Sequence, residues 1–331
     1  MGLAVIVELA RAGALVGTWL LFGAGAAMAA EPKVVVTLKP VHALVAAVME
    51  GAGKPELLLD GAASPHTYAL KPSDVRRLSE AQVVVRVSAG LEAFLGRTLA
   101  GLPKRVAVVT LETVPGLTLH SLRAGAGFEA HAHGKGGHGH AAKGQPKSGT
   151  EKSGAEKLGT DGHLWLDPVN ARLIGLHMAE VLAAVAPEHG VRYRQNAAVL
   201  ASGLEALSAR LAEDMKPLAS RPFLVFHDAY QYFERRFGLA SAGAVTVSPE
   251  VPPSAQRISQ IRALLAAKGA VCVFAEPQFP PRTIDTVIEG TNVRRGTLDP
   301  LGANLAAGPG QYAALLEEMA RDLKGCLGGP G

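Results

Sequence analysis

The chain has 331 residues, more than one typical domain contains, which favours two compact domains. Hydrophobic residues make up 48% of it, enough for real cores and against a disordered or fibrous chain. Lys and Arg total 33 against 29 Asp and Glu, and aromatic residues are only 5%, so the composition argues against a nucleic-acid-binding protein. Two cysteines exclude a disulfide scaffold, whereas eleven histidines, four of them within residues 131–140, direct attention to metal chemistry.

Residues 1–30 have the pattern of a secretory signal peptide. Arg11 precedes an apolar run, which small residues and an A-x-A pattern at Ala27-Met28-Ala29 follow. The run is short and Gly-rich for a membrane-spanning helix, which needs about 20 apolar residues. An uncleaved anchor is the alternative. We therefore expect cleavage near Ala29 or Ala30 and a mature protein in the periplasm.

Eight short apolar runs, most of them rich in Val, predict strands in two groups. The runs are residues 33–38, 56–59, 83–88 and 106–110, and then residues 223–227, 244–247, 271–275 and 293–298. Continuous apolar strands that alternate with helical patterns indicate parallel sheets covered by helices. The expected fold class is α/β, with two doubly wound lobes at residues 31–190 and 218–331.

A helical stretch without strand signals separates the two groups. Asn170 is expected to cap a helix that ends near Val185, and a second helix is expected from about Val191 to Met215. The apolar positions of the second helix recur at three- and four-residue spacing, as one buried face requires. Residues 191–217 are thus expected to form a long, rigid linker helix between the lobes.

Residues 124–160 have the composition of a disordered surface loop. They include ten Gly and five Lys but no Val or Ile, so they cannot bury a core. The segment contains four closely spaced histidines, namely His131, His133, His138 and His140. We expect this auxiliary loop to bind metal weakly, because ordering it costs conformational entropy. The alternative is an insertion that binds metal only incidentally.

Three other histidines lie beside predicted strands or turns. His66 follows ELLLDGAASP, His163 precedes an extended Leu-Trp-Leu run in TDGHLWLDP, and His227 ends FLVF. Ligands of open α/β sheets gather outside the carboxyl ends of strands, so these imidazoles are expected to converge between the lobes. Neutral imidazole suits Zn(II), and a carboxylate or water would complete the site. Each histidine taken singly is more often a satisfied polar residue.

Six motifs resemble the periplasmic zinc-binding proteins of high-affinity zinc ABC transporters, the ZnuA family. They are GAASPHTYALKPSD, DGHLWLDP, FHDAYQYF, VSPEVPPSAQR, FAEPQF and GTLDPLG, and they occur in family order along nearly all of the mature chain. The resemblance implies two α/β lobes joined by a long rigid helix, with zinc held between them by His66, His163 and His227. It also implies a Cys272–Cys326 disulfide, which the residues alone leave open.

The fourth zinc ligand remains open. Some family members have a Glu directly before the first ligand histidine, but here that residue is Pro65. Asp299 in GTLDPLG matches the Asp ligand of the wider family, with a water molecule or Glu276 as the alternatives. His227 occupies a position at which manganese-binding relatives carry Glu, which favours zinc as the metal.

The predicted function is an extracytoplasmic receptor that captures Zn(II) and delivers it to a membrane permease. A separate cytoplasmic ATPase would supply the energy, because the chain has no GxxxxGK[ST] phosphate loop. A periplasmic zinc accessory protein is a further candidate partner, nucleic acid is not, and we expect a monomer. The alternatives are a secreted zinc hydrolase, although no HExxH motif is present, and a manganese or other metal receptor or an adhesin of the same fold.

Overall fold

Two parallel β-sheets organise the protein. The computed structural model describes residues 31–125, 127–128 and 159–329, and the chain from Glu31 onward forms one compact unit. The predicted signal peptide and His131, His133, His138 and His140 lie outside the described residues. We call residues 31–189 the first lobe and residues 218–329 the second lobe.

The first sheet has four strands in the order β2-β1-β3-β4, and the second has three in the order β5-β6-β7. The strands are β1 (Val34–Val36), β2 (Glu56–Leu57), β3 (Val83–Arg86), β4 (Ala107–Thr110), β5 (Phe223–Leu224), β6 (Cys272–Ala275) and β7 (Arg294–Thr297). All neighbouring strands pair in parallel. The two central strands of the first sheet, β1 and β3, carry continuous valines because both of their faces are buried.

Helices cover both sheets. In the described ranges they are α1 (Lys39–Met49), α2 (Pro72–Glu80), α3 (Gly96–Ala100), α4 (Pro168–Val185), α5 (Gly190–Met215), α6 (Gln231–Phe237), α7 (Ala255–Lys268), α8 (Arg282–Ile288) and α9 (Gln311–Leu327). The predicted α/β fold class is confirmed. None of the helices in the described part of the chain has both the length and the hydrophobicity that a membrane span requires.

The expected strand at residues 244–247 is wrong as a regular strand. Ala244 forms a single parallel bridge with Val225, and the next two residues donate backbone hydrogen bonds to Val225 and Phe226, each of 2.9 Å. Pairing then ends because the Thr246 hydroxyl donates to the carbonyl oxygen of Ser248, 2.6 Å away, and turns the chain. The segment therefore follows β5 only briefly before it reverses.

The prediction that Asn170 caps α4 is also wrong. The cap is Asp167, whose carboxylate accepts a 2.8 Å hydrogen bond from the backbone N–H of Val169, with Pro168 as the first helical residue. Proline suits that position because its missing N–H would have no helical partner. Asn170 instead lies buried inside the first turn, where its amide group bonds to both backbone groups of Thr118.

One hydrophobic core extends through both lobes. It contains β1, β3, α1, α4 and α5 together with α6, α9 and one face of the second sheet, including Phe223 and Phe274. The opposite face of the second sheet forms a smaller separate core with α7 and α8, through residues such as Val273, Ile261 and Ile284. The two lobes are thus joined by buried apolar packing as well as by the chain itself.

Helices α5 and α9 each contact elements of both lobes. The 26 residues of α5 span about 39 Å at 1.5 Å per residue, and the buried face of this helix includes Leu204, Leu207 and Leu211. Helix α5 packs against α1, α4 and α9, and α9 also packs against α1. The Cys272–Cys326 disulfide is confirmed, with Cα atoms 6.2 Å apart, and it joins β6 to α9.

The described ends of the predicted disordered loop are ordered, contrary to expectation for that part of residues 124–160. Thr160 pairs with Ser121 in an antiparallel bridge, and Phe128 pairs with Gly125. Gly127, with φ +106°, lies so close to the second lobe that a Cβ atom would come within 2.7 Å of the Ala242 carbonyl oxygen. Only glycine fits this approach, so the chain entering the histidine-rich segment is docked on the second lobe.

Candidate metal centre

The structure brings together the three histidines that the sequence singled out. One ring nitrogen from each of His66, His163 and His227 can be chosen so that all three lie within 4.8 Å of one another. The Nε2 atoms of His163 and His227 are 3.4 Å apart. Two nitrogens bound to one tetrahedral zinc at about 2.0–2.1 Å lie about 3.3–3.4 Å apart. These two imidazoles are therefore already spaced for a shared zinc ion.

His66 completes the cluster from a different segment. It lies on the connection between β2 and α2, whereas His227 lies just beyond β5. Its Nε2 atom is buried and has no hydrogen-bond partner among the residues that the structure describes. A buried, unpartnered nitrogen beside two other imidazoles is the arrangement that a bound cation would satisfy.

A carboxylate lies behind each imidazole. Asp161 Oδ1 is 2.8 Å from Nδ1 of His163, and Glu276 Oε1 is 2.7 Å from Nδ1 of His227. Glu250 Oε1 is 3.4 Å from Nδ1 of His66. A carboxylate at Nδ1 favours the tautomer with the proton on that nitrogen, which leaves Nε2 as the metal-binding atom and fixes the orientation of the ring.

The Asp161-Gly162-His163 segment is shaped by its own short-range contacts. Asp161 Oδ1 also accepts a 3.0 Å hydrogen bond from the backbone N–H of His163. A Cβ atom on Gly162 would lie 2.8 Å from Cβ of Leu91, so this turn needs glycine. Residues Leu164–Leu166 form a 3-10 turn that leads into α4, and the expectation of an extended run there is wrong.

Two histidines of the cluster, His66 and His227, are held in their neutral form. Burial, reinforced by the neighbouring imidazoles, lowers the pKa of His66 to about 4 and that of His227 to about 3. Burial raises the pKa of Glu276 to about 8, so it is the approach of a cation that favours its ionised form and, with it, the tautomer of His227 that carries the proton on Nδ1. Metal binding requires unprotonated imidazole, so His66 and His227 have no proton to release when they accept a cation at neutral pH.

A cavity of about 480 Å³ opens beside the cluster, with walls from both lobes. On one wall Arg123 of the first lobe bonds to Asp228 and Glu234 of the second lobe, at 3.0 and 2.7 Å. Asp228 directly follows His227, so this ion pair links the first lobe to the backbone that carries a cluster histidine. The cavity gives small solutes a path to the three imidazoles.

Asp299, the residue predicted to supply a fourth ligand, lies outside the three-histidine group in this structure. Its carboxylate accepts hydrogen bonds from Gln278 Nε2 at 2.6 Å and from the backbone N–H groups of Leu301 and Ala303 at 2.9 and 2.5 Å. These bonds close the turn after β7 and hold the carboxylate there. Within the described residues no carboxylate completes the three-histidine group, and Glu276 instead contacts Nδ1 of His227.

Two residues with a direct contact to the cluster were not predicted as site residues. Asp161 stands two positions before His163, a spacing that allows a carboxylate to reach back to the same ring, and this local signal could have revealed it. Glu250 has no such signal because it approaches His66 from the other lobe, 184 residues away in sequence.

Comparisons with known proteins agree with the motifs. The model of the family described as zinc-uptake complex component A, periplasmic (ZnuA), matches residues 34–326. The chain belongs to the ZnuA family. The high-affinity zinc uptake system protein ZnuA of Brucella abortus (strain 2308) is 46% identical over 314 residues, covering 92% of this chain and 94% of the relative. The Yersinia pestis protein of the same name is 36% identical over 305 residues, covering 90% and 92%.

A solved structure shows the same fold. The periplasmic zinc binding protein TroA from Treponema pallidum has a TM-score of 0.74 at 21% identity, covering 90% of this chain and 99% of that one. The resemblance inferred from the six motifs is thus confirmed at the level of the family and of the fold.

Proposed function

We propose that the protein is the periplasmic zinc receptor of an ABC-type uptake system. It binds Zn(II), its cargo, through Nε2 of His66, His163 and His227 and releases it to the membrane permease, which a cytoplasmic ATPase drives. The observation that carries this proposal is the group of three converging imidazoles, each backed by a carboxylate. Its relatives are named as proteins of high-affinity zinc uptake systems.

The donor set fits zinc better than manganese. Three imidazole nitrogens are borderline-soft ligands that suit Zn(II), whereas Mn(II) prefers oxygen donors. Asp299 is engaged by three hydrogen bonds, so we assign the fourth position to a water molecule. A site with one exchangeable ligand can hold zinc tightly and still pass it on.

The domain organisation that we propose follows the fold. A cleaved signal peptide at residues 1–30 precedes a lobe at residues 31–190, a linker helix at residues 191–217 and a lobe at residues 218–331. The shared core favours small movements between the lobes over a wide hinge opening. We propose a monomer that contacts the permease directly, with a periplasmic accessory protein as a further partner.

The histidine-rich segment has a separate role in this proposal. His131, His133, His138 and His140 form an auxiliary site that collects zinc weakly and exchanges it quickly. Support comes from sequence spacing, and from the described chain at Phe128 and Gly159, both of which line the cavity beside the three histidines. The described residues on either side of the segment therefore lie beside the three histidines.

Zinc titration of the metal-stripped protein tests the proposal. We expect one tight site per molecule, retained when residues 129–158 are deleted and lost when His66, His163 and His227 are all replaced by Ala. The matched control is His177→Ala, which removes an imidazole from α4 and should bind zinc as the wild type does. Tight zinc binding that persists in the triple variant lacking residues 129–158 would contradict the assignment of the three histidines. Weak zinc binding that is unchanged after deletion of residues 129–158 alone would contradict the auxiliary site.

A further inference from the structure

The three histidine–carboxylate pairs differ in how deeply they are buried. The carboxylates of Asp161 and Glu276 are each only 1% exposed, and their histidines 8% and 6%. Glu250 is 34% exposed and its partner His66 is 18% exposed. Two pairs are thus enclosed in protein, and the third borders solvent.

The pairs also differ in which lobes they join. Asp161 and His163 both belong to the first lobe, and Glu276 and His227 both belong to the second. Glu250 comes from the second lobe and His66 from the first, so among the three this pair alone crosses between lobes. Both of its residues line the 480 Å³ cavity.

Glu250 is presented by a turn that is fixed at its base. Residues 246–251 form this turn, which is closed by hydrogen bonds from the Thr246 hydroxyl to the carbonyl oxygens of Ser248 and Val251, at 2.6 and 3.2 Å. The backbone N–H of Thr246 donates to Phe226, the residue before His227. The base is therefore tied to the strand edge that carries His227, while the tip reaches His66.

We propose that Glu250 is a positioning residue for zinc exchange. It holds the His66 ring over the site from across the cleft, and zinc enters and leaves when this pair separates while His163 and His227 stay in place. The idea rests on the proposed zinc-receptor function. It explains why the least buried imidazole of the three has the most exposed carboxylate.

Zinc release to an excess of a chromogenic chelator tests this role. Glu250→Ala should raise the zinc dissociation rate by about 10–100-fold, the range typical for losing the hydrogen-bond partner of a metal ligand. Glu250→Gln, which keeps an acceptor for Nδ1–H, should restore most of the loss. The matched control is Glu112→Ala, because Glu112 lines the same cavity and bonds to the backbone of Ala89 rather than to a histidine.

Two further measurements separate positioning from other roles. In a His66→Ala background, Glu250→Ala should change the dissociation rate by less than about twofold, since coupled residues are not additive. The visible absorption of the Co(II)-substituted protein should be the same for wild type and Glu250→Gln, because Glu250 is not a ligand. Unchanged thermal unfolding of each variant shows that it is folded.

The proposal is overturned by any of three results. The first is a zinc dissociation rate in Glu250→Ala equal to that of the wild type. The second is an equal acceleration in Glu112→Ala, which would show that the charge of the cavity causes the effect. The third is an altered Co(II) spectrum in Glu250→Gln, which would show that Glu250 is a ligand. None of them removes the receptor function, which instead fails if the wild-type protein has no tight zinc site.

Discussion

The two sides of the cleft between the lobes are built differently. On the side that we call the floor, Trp165 Nε1 donates a 2.9 Å hydrogen bond to Pro300, and the Tyr312 hydroxyl donates a 2.6 Å bond to the carbonyl oxygen of Trp165. Both aromatic side chains are fully buried. On the side that we call the mouth, the turn at residues 246–251 borders solvent, and Val251 is 63% exposed.

The difference separates two tasks that a receptor must perform. Tight binding requires ligands held close to their bound geometry, and the floor provides this because its aromatic packing and hydrogen bonds cross between lobes. Release requires a ligand that can move at low cost, and the mouth provides this because few buried contacts resist its movement. The three imidazoles are chemically identical, so it is their different surroundings that assign them to binding or to release.

The largest effect should come from removing a histidine on the floor side. His163, whose ring centroid is 5.4 Å from that of Trp165, is the test residue. His163→Ala should lower zinc affinity by at least about 1000-fold, beyond the ~10–100-fold typical of losing a ligand's hydrogen-bond partner. His66→Ala should cost at least tenfold less, since water can enter at the mouth. Chelator-competition titrations would measure both, and equal losses would erase the distinction between floor and mouth.

Removal of the disulfide should lower the stability of the fold but leave zinc affinity nearly unchanged. The two cysteines are 54 residues apart, and closing a loop of that size stabilises the fold by about 4 kcal/mol in the chain-entropy model. Replacing both Cys272 and Cys326 by Ser should lower the unfolding free energy by about 2–4 kcal/mol in urea denaturation.

Zinc affinity of the same variant should change less than about threefold, because Cys272 is at the opposite end of β6 from Glu276, about 13 Å away at 3.3 Å per residue. A large loss of affinity would mean that the second sheet transmits strain to the cluster. The reduced wild-type protein serves as the matched comparison.

The last effect, which depends on pH, concerns a buried carboxylate of the first lobe that lies outside both the floor and the mouth. Glu92 accepts hydrogen bonds from the backbone N–H groups of Val87 and Ser88, at 2.6 and 3.0 Å, and burial raises its pKa to about 7. Between about pH 4.5 and 7 the folded state holds a proton that the unfolded state has lost. The unfolding free energy should therefore fall as the pH rises through this window, by up to about 3 kcal/mol.

Glu92→Gln is neutral at every pH and should flatten that part of the stability profile. Urea denaturation of both proteins at pH 5, 6, 7 and 8 measures the difference. Parallel profiles would show that the ionised carboxylate is fully compensated by its backbone donors. Zinc should be chelated in these experiments, so that metal binding does not contribute to the pH dependence.

Local sequence signals predicted much of the fold and the centre of the site. Seven of the eight predicted runs contain strands. The signal is clearest in β1, β3 and β6, because a strand buried on both faces must be almost continuously apolar. His66 and His227 were found by their position after strands, since parallel strands place their carboxyl ends on one edge. The Asn170 cap failed because Asp167-Pro168, three residues earlier, is the stronger start signal.

The remaining features depend on contacts that short sequence windows do not contain. Glu250 acts across the cleft, so its role follows only from the packing of the lobes. Asp299 matched a ligand position in the wider family, but two backbone N–H groups and Gln278 hold its carboxylate in a turn. Whether a carboxylate binds metal or closes a turn is decided by three-dimensional competition for its oxygens.

The core that extends through both lobes limits how this protein can be recombined. Helix α9 lies after the second sheet in sequence but packs against α1 and α5, so its apolar face must be complementary in shape to residues of the first lobe. A chimera of two relatives joined within α5 would combine unmatched surfaces at these contacts. Chimeras that exchange lobes between homologues should fold stably only when α1, α5 and α9 come from the same parent. These three helices therefore form one packing unit that must be exchanged as a whole.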